Sequence, residues 1–190
     1  MIDTPGHGKL RSQHGLSLLS PPTTKKGSEA PSQNLKGVIF FTDSAFPTGD
    51  SQIRDTAEYL HDVLLSLQKW TSADAKGRRR NGEGMTNVLV AANKQDLFTA
   101  LPPATVKSRL EKEIDAVRKT RARGLLDSGV TAGADVDDAD EKEGLGRDDG
   151  FSFSTFEDDT GVRVEVVGGS ARGEEGAGAR RWEEWIGSCL

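Results

Sequence analysis

NVLVAANKQD, residues 87–96, joins a short, mostly apolar run to a polar Asn-Lys-x-Asp turn. A run of that length, bounded by Asn at each end, predicts a strand buried on both faces, as in a parallel sheet. The turn after it carries chemistry. A carboxylate can accept two hydrogen bonds, from guanine's ring N–H and its exocyclic amino group, whereas adenine offers a different edge. Such paired, desolvated bonds discriminate bases by on the order of 10⁴, because the wrong base leaves buried groups unpaired. Asp96 is the candidate reader. Asn93 would brace the loop and touch the base edge, and the stem of Lys94 would lie along the ring plane. A plain polar turn between a strand and a helix is the alternative.

On either side the same logic repeats. GVIFFTD (37–43) predicts a second buried strand, placed centrally in a parallel sheet, and VRVEVVGGSA (162–171) a third that ends in a tight turn. Between them Ile53, Ala57, Leu60, Val63, Leu64 and Leu67 recur at helical spacing, with Asp50 or Ser51 as N-cap and an end near Trp70. Pro102-Pro103 suit a first turn, and Val106, Leu110, Ile114 and Val117 carry that helix toward Arg123. Leu10–Leu19 predicts a short helix, and Arg180–Ile186 a closing one with Trp182, Trp185 and Ile186 on one face. FSFSTFE (151–157) reads as ordered, without an assigned element. Strand and helix alternate, which predicts an α/β fold: a mostly parallel sheet with flanking helices, binding ligands at the carboxyl ends of its strands.

Two further motifs fall at such ends. Gly169-Ser170-Ala171 is small enough to let the backbone approach a planar ligand, so that an N–H there could donate to guanine O6; alone, it is an ordinary turn. Asp3-Thr4-Pro5-Gly6-His7 would finish a strand of which only Met1 and Ile2 remain. Asp3 could hold Mg²⁺ through its water shell, and the Gly6 N–H could meet a γ-phosphate oxygen. His7 is the candidate catalytic residue, positioned to orient an attacking water, against the plainer alternative of a surface histidine.

Composition bounds the rest. At 190 residues, with 34% hydrophobic and 29% charged, the chain has room for one domain over residues 1–190. Residues 20–34, rich in Ser, Pro, Thr and Lys, and 124–150, acidic and Gly-containing, read as flexible insertions with little that could pack. The acidic segment lacks the ligand register of a calcium loop. A net charge of -5 gives no basic footprint for nucleic acid, and Arg78-Arg79-Arg80 reads as a solvated loop. A single cysteine, Cys189, rules out an internal disulfide and suits a reducing compartment. No signal peptide is recognisable, and no apolar run approaches the roughly 18 residues needed to span a bilayer, so the chain as written reads as soluble.

DTPGHGKLR, LKGVIFFTDSAF, NVLVAANKQDLFTALPP, LEKEIDAVRKTR, FSFSTFE and VEVVGGSAR, in that order, resemble the signal recognition particle receptor β-subunit family of Arf-like GTPases. DSAF and the Leu-Glu-Lys-Glu-Ile helix set the pattern apart from ordinary Arf-like and Ras-like proteins. The resemblance implies a small P-loop GTPase-type G domain at the cytosolic face of the endoplasmic reticulum membrane. Such a domain binds GTP and Mg²⁺ and pairs with the receptor α subunit, docking ribosomes near the translocon. It also implies that Asn93, Lys94 and Asp96 read guanine, that Ser170 and Ala171 complete the pocket, and that Asp3 and Gly6 serve Mg²⁺ and γ-phosphate.

The chain departs from that pattern. Arg172 stands where lysine is common, and no Gly-x-x-x-x-Gly-Lys-[Ser/Thr] occurs in the 190 residues. The switch threonine and membrane anchor also lie upstream of the resembling region in such proteins. The expectation is therefore an incomplete, N-terminally truncated G domain lacking the first strands and P-loop, with weak or absent GTP and Mg²⁺ binding and no hydrolysis alone. A nucleotide-free interaction protein and an Arf-like trafficking GTPase are the alternatives.

Overall fold

The structure, a computed structural model, describes residues 2–4, 6–19, 35–46, 50–75, 86–127, 145, 150–172 and 178–189. Helix α1 (Gly8–Leu10) runs into a π-helical turn (Arg11–Gly15) and a 3-10 turn (Leu16–Leu19). Then follow β1 (Gly37–Asp43), α2 (Asp50–Ala75), β2 (Asn87–Asn93), α3 (Pro103–Asp127), α4 (Phe153–Thr160), β3 (Arg163–Gly168) and α5 (Arg180–Cys189). The three strands form one parallel sheet in the order β1-β2-β3, so the expected α/β class with flanking helices holds. Register is set so that Asp43 pairs Asn93 and Ala92 pairs Gly168. The carboxyl ends of all three strands therefore meet on one edge.

β2 lies at the centre because both its faces are apolar. Val88, Val90 and Ala92 point toward α2, α3 and α4, and join Phe40, Leu60, Leu64, Val106, Leu110, Ile114, Phe153 and Phe156 in the main core. Leu89 and Ala91 point the other way, onto Trp182 and Trp185 of α5. Val88, Leu89 and Val90 have no exposed surface, and each such burial contributes about 1.5–3 kcal/mol gross, which makes β2 the firm base of whatever loop follows it. β1 differs from expectation. Among the described strands it is an edge, pairing β2 only, and Phe41 is 58% exposed, covered on one side by an edge-on contact with Trp182. An apolar run alone cannot tell a central strand from an edge strand whose outward face is half covered.

Other bounds shift for local reasons. α2 runs to Ala75, α3 to Asp127 and α5 to Cys189, beyond the expected ends. α3 starts at Pro103 as expected, with the Pro102 carbonyl accepting from the N–H groups of Thr105 and Val106. FSFSTFE holds α4: the Ser152 hydroxyl caps it by accepting from Thr155 N–H at 3.1 Å, and Gly161, at φ 72°, closes it in the left-handed conformation. Phenylalanines two and three residues apart hid its period. Residues 10–19 are helical, but as the irregular π and 3-10 turns.

Residues 20–34 lie outside the described residues, as do Met1, Pro5, Arg78–Arg80 and most of 124–150. Two parts of that last segment correct the expectation of an unpacked insertion. Residues 124–127 continue α3, and Leu145 is fully buried in the main core. Ile2 is 69% exposed and lies in no strand, contrary to the expected strand end. No helix among the described residues is long and apolar enough to cross a membrane.

Candidate functional site

Parallel strands deliver Asp43, Asn93 and Gly168 to the same edge, and the segments just beyond them make the site. Asn93 is the last residue of β2. Its Oδ1 accepts from the N–H of Lys94 at 2.8 Å and of Ala171 at 3.0 Å. One amide thus closes its own turn and clasps the turn after β3. With Oδ1 used twice, the NH₂ side is left to donate to an acceptor edge.

Lys94 sits at φ 67°, a left-handed conformation that costs a non-glycine residue about 1–3 kcal/mol and persists only when its surroundings enforce it. Its Nζ donates to Asp43 Oδ2 across the strand ends, which stretches the stem over the sheet edge. Asp43 Oδ1 accepts from Ala45 N–H at 2.9 Å, so the carboxylate is itself oriented.

Asp96 is exposed, two residues past that turn. The buried Ser170 hydroxyl donates to its Oδ1 at 2.6 Å. That bond, helped by Asp96's own N–H and by the positive charges of Arg172 and Lys94, holds the carboxyl below the usual carboxylate value. Asp96 is therefore an acceptor only at neutral pH, aimed by Ser170 and otherwise open to a ligand with two adjacent N–H donors.

The turn after β3 is packed hard. Gly169 N–H donates to Ala92 O at 3.0 Å, and Gln95 N–H donates to Gly169 O at 3.0 Å. Ser170 N–H reaches Gly178 O at 3.2 Å, and Arg172 N–H reaches Ser170 Oγ at 3.3 Å. Every N–H from Gly169 to Arg172 is thus already donated within the protein. A ligand oxygen expected there would have to share the Ala171 N–H with Asn93.

Asn93, Lys94, Asp96, Ser170 and Ala171 thus come together. Asp3, Gly6 and His7 belong to a separate, exposed segment, and among the described residues no hydrogen bond or ion pair joins them to this group. Arg11 moors that segment to α2: Nε donates to Gly6 O at 2.9 Å, the guanidinium grips Asp55 at 3.1 and 3.0 Å, and its carbon lies 4.6 Å over the Tyr59 ring. His7 Nδ1 accepts from Lys9 N–H at 3.3 Å. A side chain added at Gly6 would meet nothing within 4 Å, so its backbone is open to approach. Among the described residues no three His, Cys, Asp or Glu gather as a metal cage. Asp3 fits Mg²⁺ only in the way a water-rich, phosphate-anchored ion allows, through one carboxylate.

Three contributors had no assigned role in the sequence reading: Asp43, Ser44 and Gln95. Gln95 Nε2 donates to Ser44 Oγ at 2.7 Å and to Leu101 O at 2.9 Å. The signal lay in Asp43-Ser44, directly after a buried strand, and in a long amide between Lys94 and Asp96.

Comparison with known proteins agrees with this architecture. The family model for "Signal recognition particle receptor beta subunit" matches residues 1–160. The "Signal recognition particle receptor subunit beta" of Saccharomyces cerevisiae is 30% identical, over all of this chain and 66% of its own length. The chain spans 56% to 66% of the length of the curated relatives it matches. Two solved structures from Chaetomium thermophilum are each 39% identical. The receptor SRb-GDP-Mg structure has a TM-score of 0.74, covering all of this chain and 78% of that one. The SRb-GTP/SRX complex has a TM-score of 0.73, covering 99% of this chain and 66% of that one. The parallel sheet with flanking helices, the clasped loops at its carboxyl edge and these matches lead to one conclusion: the chain belongs to the signal recognition particle receptor β-subunit family.

Proposed function

We propose that the edge formed by Asn93, Lys94, Asp96, Ser170 and Ala171 reads the guanine base of GDP or GTP. The observation that carries this reading is the double clasp: Ser170 hydroxyl on Asp96 and Ala171 N–H on Asn93, which aims a carboxylate and an amide outward from one rigid edge. Asp96 takes the two N–H donors of guanine, the Asn93 NH₂ donates to the base edge, and the Lys94 stem, held out by Asp43, covers the ring. Nucleotide supplies the charge that recruits Mg²⁺. Asp3 would hold that ion through water, Gly6 N–H would meet the γ-phosphate, and His7 would orient an attacking water. The related SRb-GDP-Mg and SRb-GTP/SRX structures support nucleotide, Mg²⁺ and a receptor α-subunit partner. In that assembly the chain serves co-translational targeting at the endoplasmic reticulum membrane, where ribosomes are docked.

Because the 190 residues hold no Gly-x-x-x-x-Gly-Lys-[Ser/Thr] loop, the phosphates find few donors and binding is weak. Titration with a fluorescent GDP analogue, competed by unlabelled GDP, ADP and xanthosine diphosphate, tests the base reading. GDP should compete best, and Asp96→Asn should turn the preference toward xanthosine diphosphate. Equal competition by GDP and ADP would sink it.

A further inference from the structure

The one hydrogen bond within Asn93, Lys94 and Asp96, from Lys94 N–H to Asn93 Oδ1, does not by itself fix where Asp96 stands. Lys94 is in a left-handed conformation, and Asp96 is exposed on a turn whose next residues, Leu97 and Phe98, are 43% and 105% exposed and pack on little. What ties this turn down lies behind it. Ser44, just past β1, has no exposed surface, and its backbone N–H donates to Asn93 O at 2.9 Å while its carbonyl accepts from Leu101 N–H at 3.0 Å. Its hydroxyl accepts from Gln95 Nε2 at 2.7 Å, and the same Nε2 donates to Leu101 O at 2.9 Å. The Gln95 backbone N–H meanwhile donates to Gly169 O at 3.0 Å. One side chain thus spans three places: the end of β1, the return of the Leu97–Leu101 turn and, through its backbone, the turn after β3.

We propose that Ser44 and Gln95 are positioning residues of the base site, setting where the Asp96 carboxylate stands relative to Asn93 and Ser170. Both amide hydrogens of Gln95 are used, one on each side of the turn, so its flanking residues Lys94 and Asp96 are held at a fixed rise above the sheet edge. Neither Ser44 nor Gln95 needs to touch the base. Their influence falls on the two donors that Asp96 accepts, of which guanine has both and hypoxanthine only the ring N–H. The inference rests on the reading of this edge as a guanine site.

The test uses the full 190-residue chain, ¹⁵N-labelled, with amide shifts following titration by GDP and by inosine diphosphate, which lacks the 2-amino group. Wild type should bind GDP more tightly than inosine diphosphate. Gln95→Met keeps the side-chain length and loses both hydrogen bonds; it should weaken GDP about tenfold and inosine diphosphate, which keeps only the ring N–H on Asp96, by a clearly smaller factor, so that the preference for GDP narrows. Ser44→Ala removes one oxygen and should move the ratio the same way by a smaller factor; it decides the question alone should Gln95→Met lose its helical circular dichroism. A loss of stability without a change in the GDP-to-inosine-diphosphate ratio overturns the positioning role while leaving the guanine reading standing. Wild type that binds GDP, inosine diphosphate and ADP alike overturns the guanine reading, and this inference with it.

Discussion

Replacing Gly169 by alanine tests whether the turn after β3 is as tightly built as its contacts indicate. A methyl group added at Gly169 would stand 2.5 Å from the Gly178 carbonyl oxygen and 2.6 and 2.8 Å from two ring carbons of Trp182. Ordinary contact begins near 3.4 Å, so something must retreat by almost an ångström. Gly178 cannot move away cheaply, because its carbonyl accepts the Ser170 N–H at 3.2 Å. Trp182 cannot either: its Nε1–H donates to Val167 O at 3.0 Å, and its ring covers Phe41 and Leu89. Overpacking of this kind costs about 1–3 kcal/mol, and one lost hydrogen bond adds about 1 kcal/mol, for a total of about 3 kcal/mol. Against a total stability of about 5–15 kcal/mol for a domain of this class, that is a large fraction. Urea unfolding followed by tryptophan fluorescence should show the midpoint falling by about 1.5 M, for a slope of about 2 kcal/mol/M. Gly124→Ala is the control: in α3, where an added methyl meets nothing within 4 Å, it should raise stability by about 0.5–1 kcal/mol. A Gly169→Ala midpoint within experimental error of wild type would refute the close-packing argument.

Two other outcomes are expected. The Thr42 hydroxyl is buried with no hydrogen-bond partner among the described residues, so Thr42→Val, similar in shape, should raise the urea midpoint by an amount equivalent to about 1 kcal/mol; a decrease would show that the hydroxyl has a partner. Burial disfavours the charged form of Asp62, but the His61 ring 3.3 Å away and the hydrogen bond and charge of Arg121 outweigh it and hold the carboxyl below its ordinary 3.8. Its folded value is the depressed one. The contribution to stability is therefore fully present above about pH 4 and is lost as pH falls below that, through the folded value. Arg121→Gln should flatten that acid limb of the stability curve, and an unchanged limb would contradict the pairing.

Local pattern alone determined much of this protein. The two-faced apolar run of Asn87–Asn93, the helical spacing through Leu60 and Leu67, and the Asn-Lys-x-Asp and Gly-Ser-Ala turns each depend on residues close in sequence, which is why they were legible. The grouping of Asn93, Lys94 and Asp96 with Ser170 and Ala171 followed from the rule that parallel strands share a carboxyl edge. Tertiary structure decided the rest, because it depends on which distant groups meet. Among the described strands β1 is an edge because only β2 pairs with it, and Phe41 on its outer face stays half exposed beside Trp182. Leu145 was drawn into the core from an acidic segment, against its neighbours' polarity, because a single leucine gains more from burial than composition averages register. The N–H groups from Gly169 to Arg172, free in any reading of the turn by itself, were claimed by Ala92, Gly178, Asn93 and Ser170. Gln95 acquired a role only when Ser44 and Leu101 arrived on either side of it. A hydrogen bond between residues 51 positions apart leaves no trace in local sequence, since either partner alone looks like an ordinary polar residue in a turn.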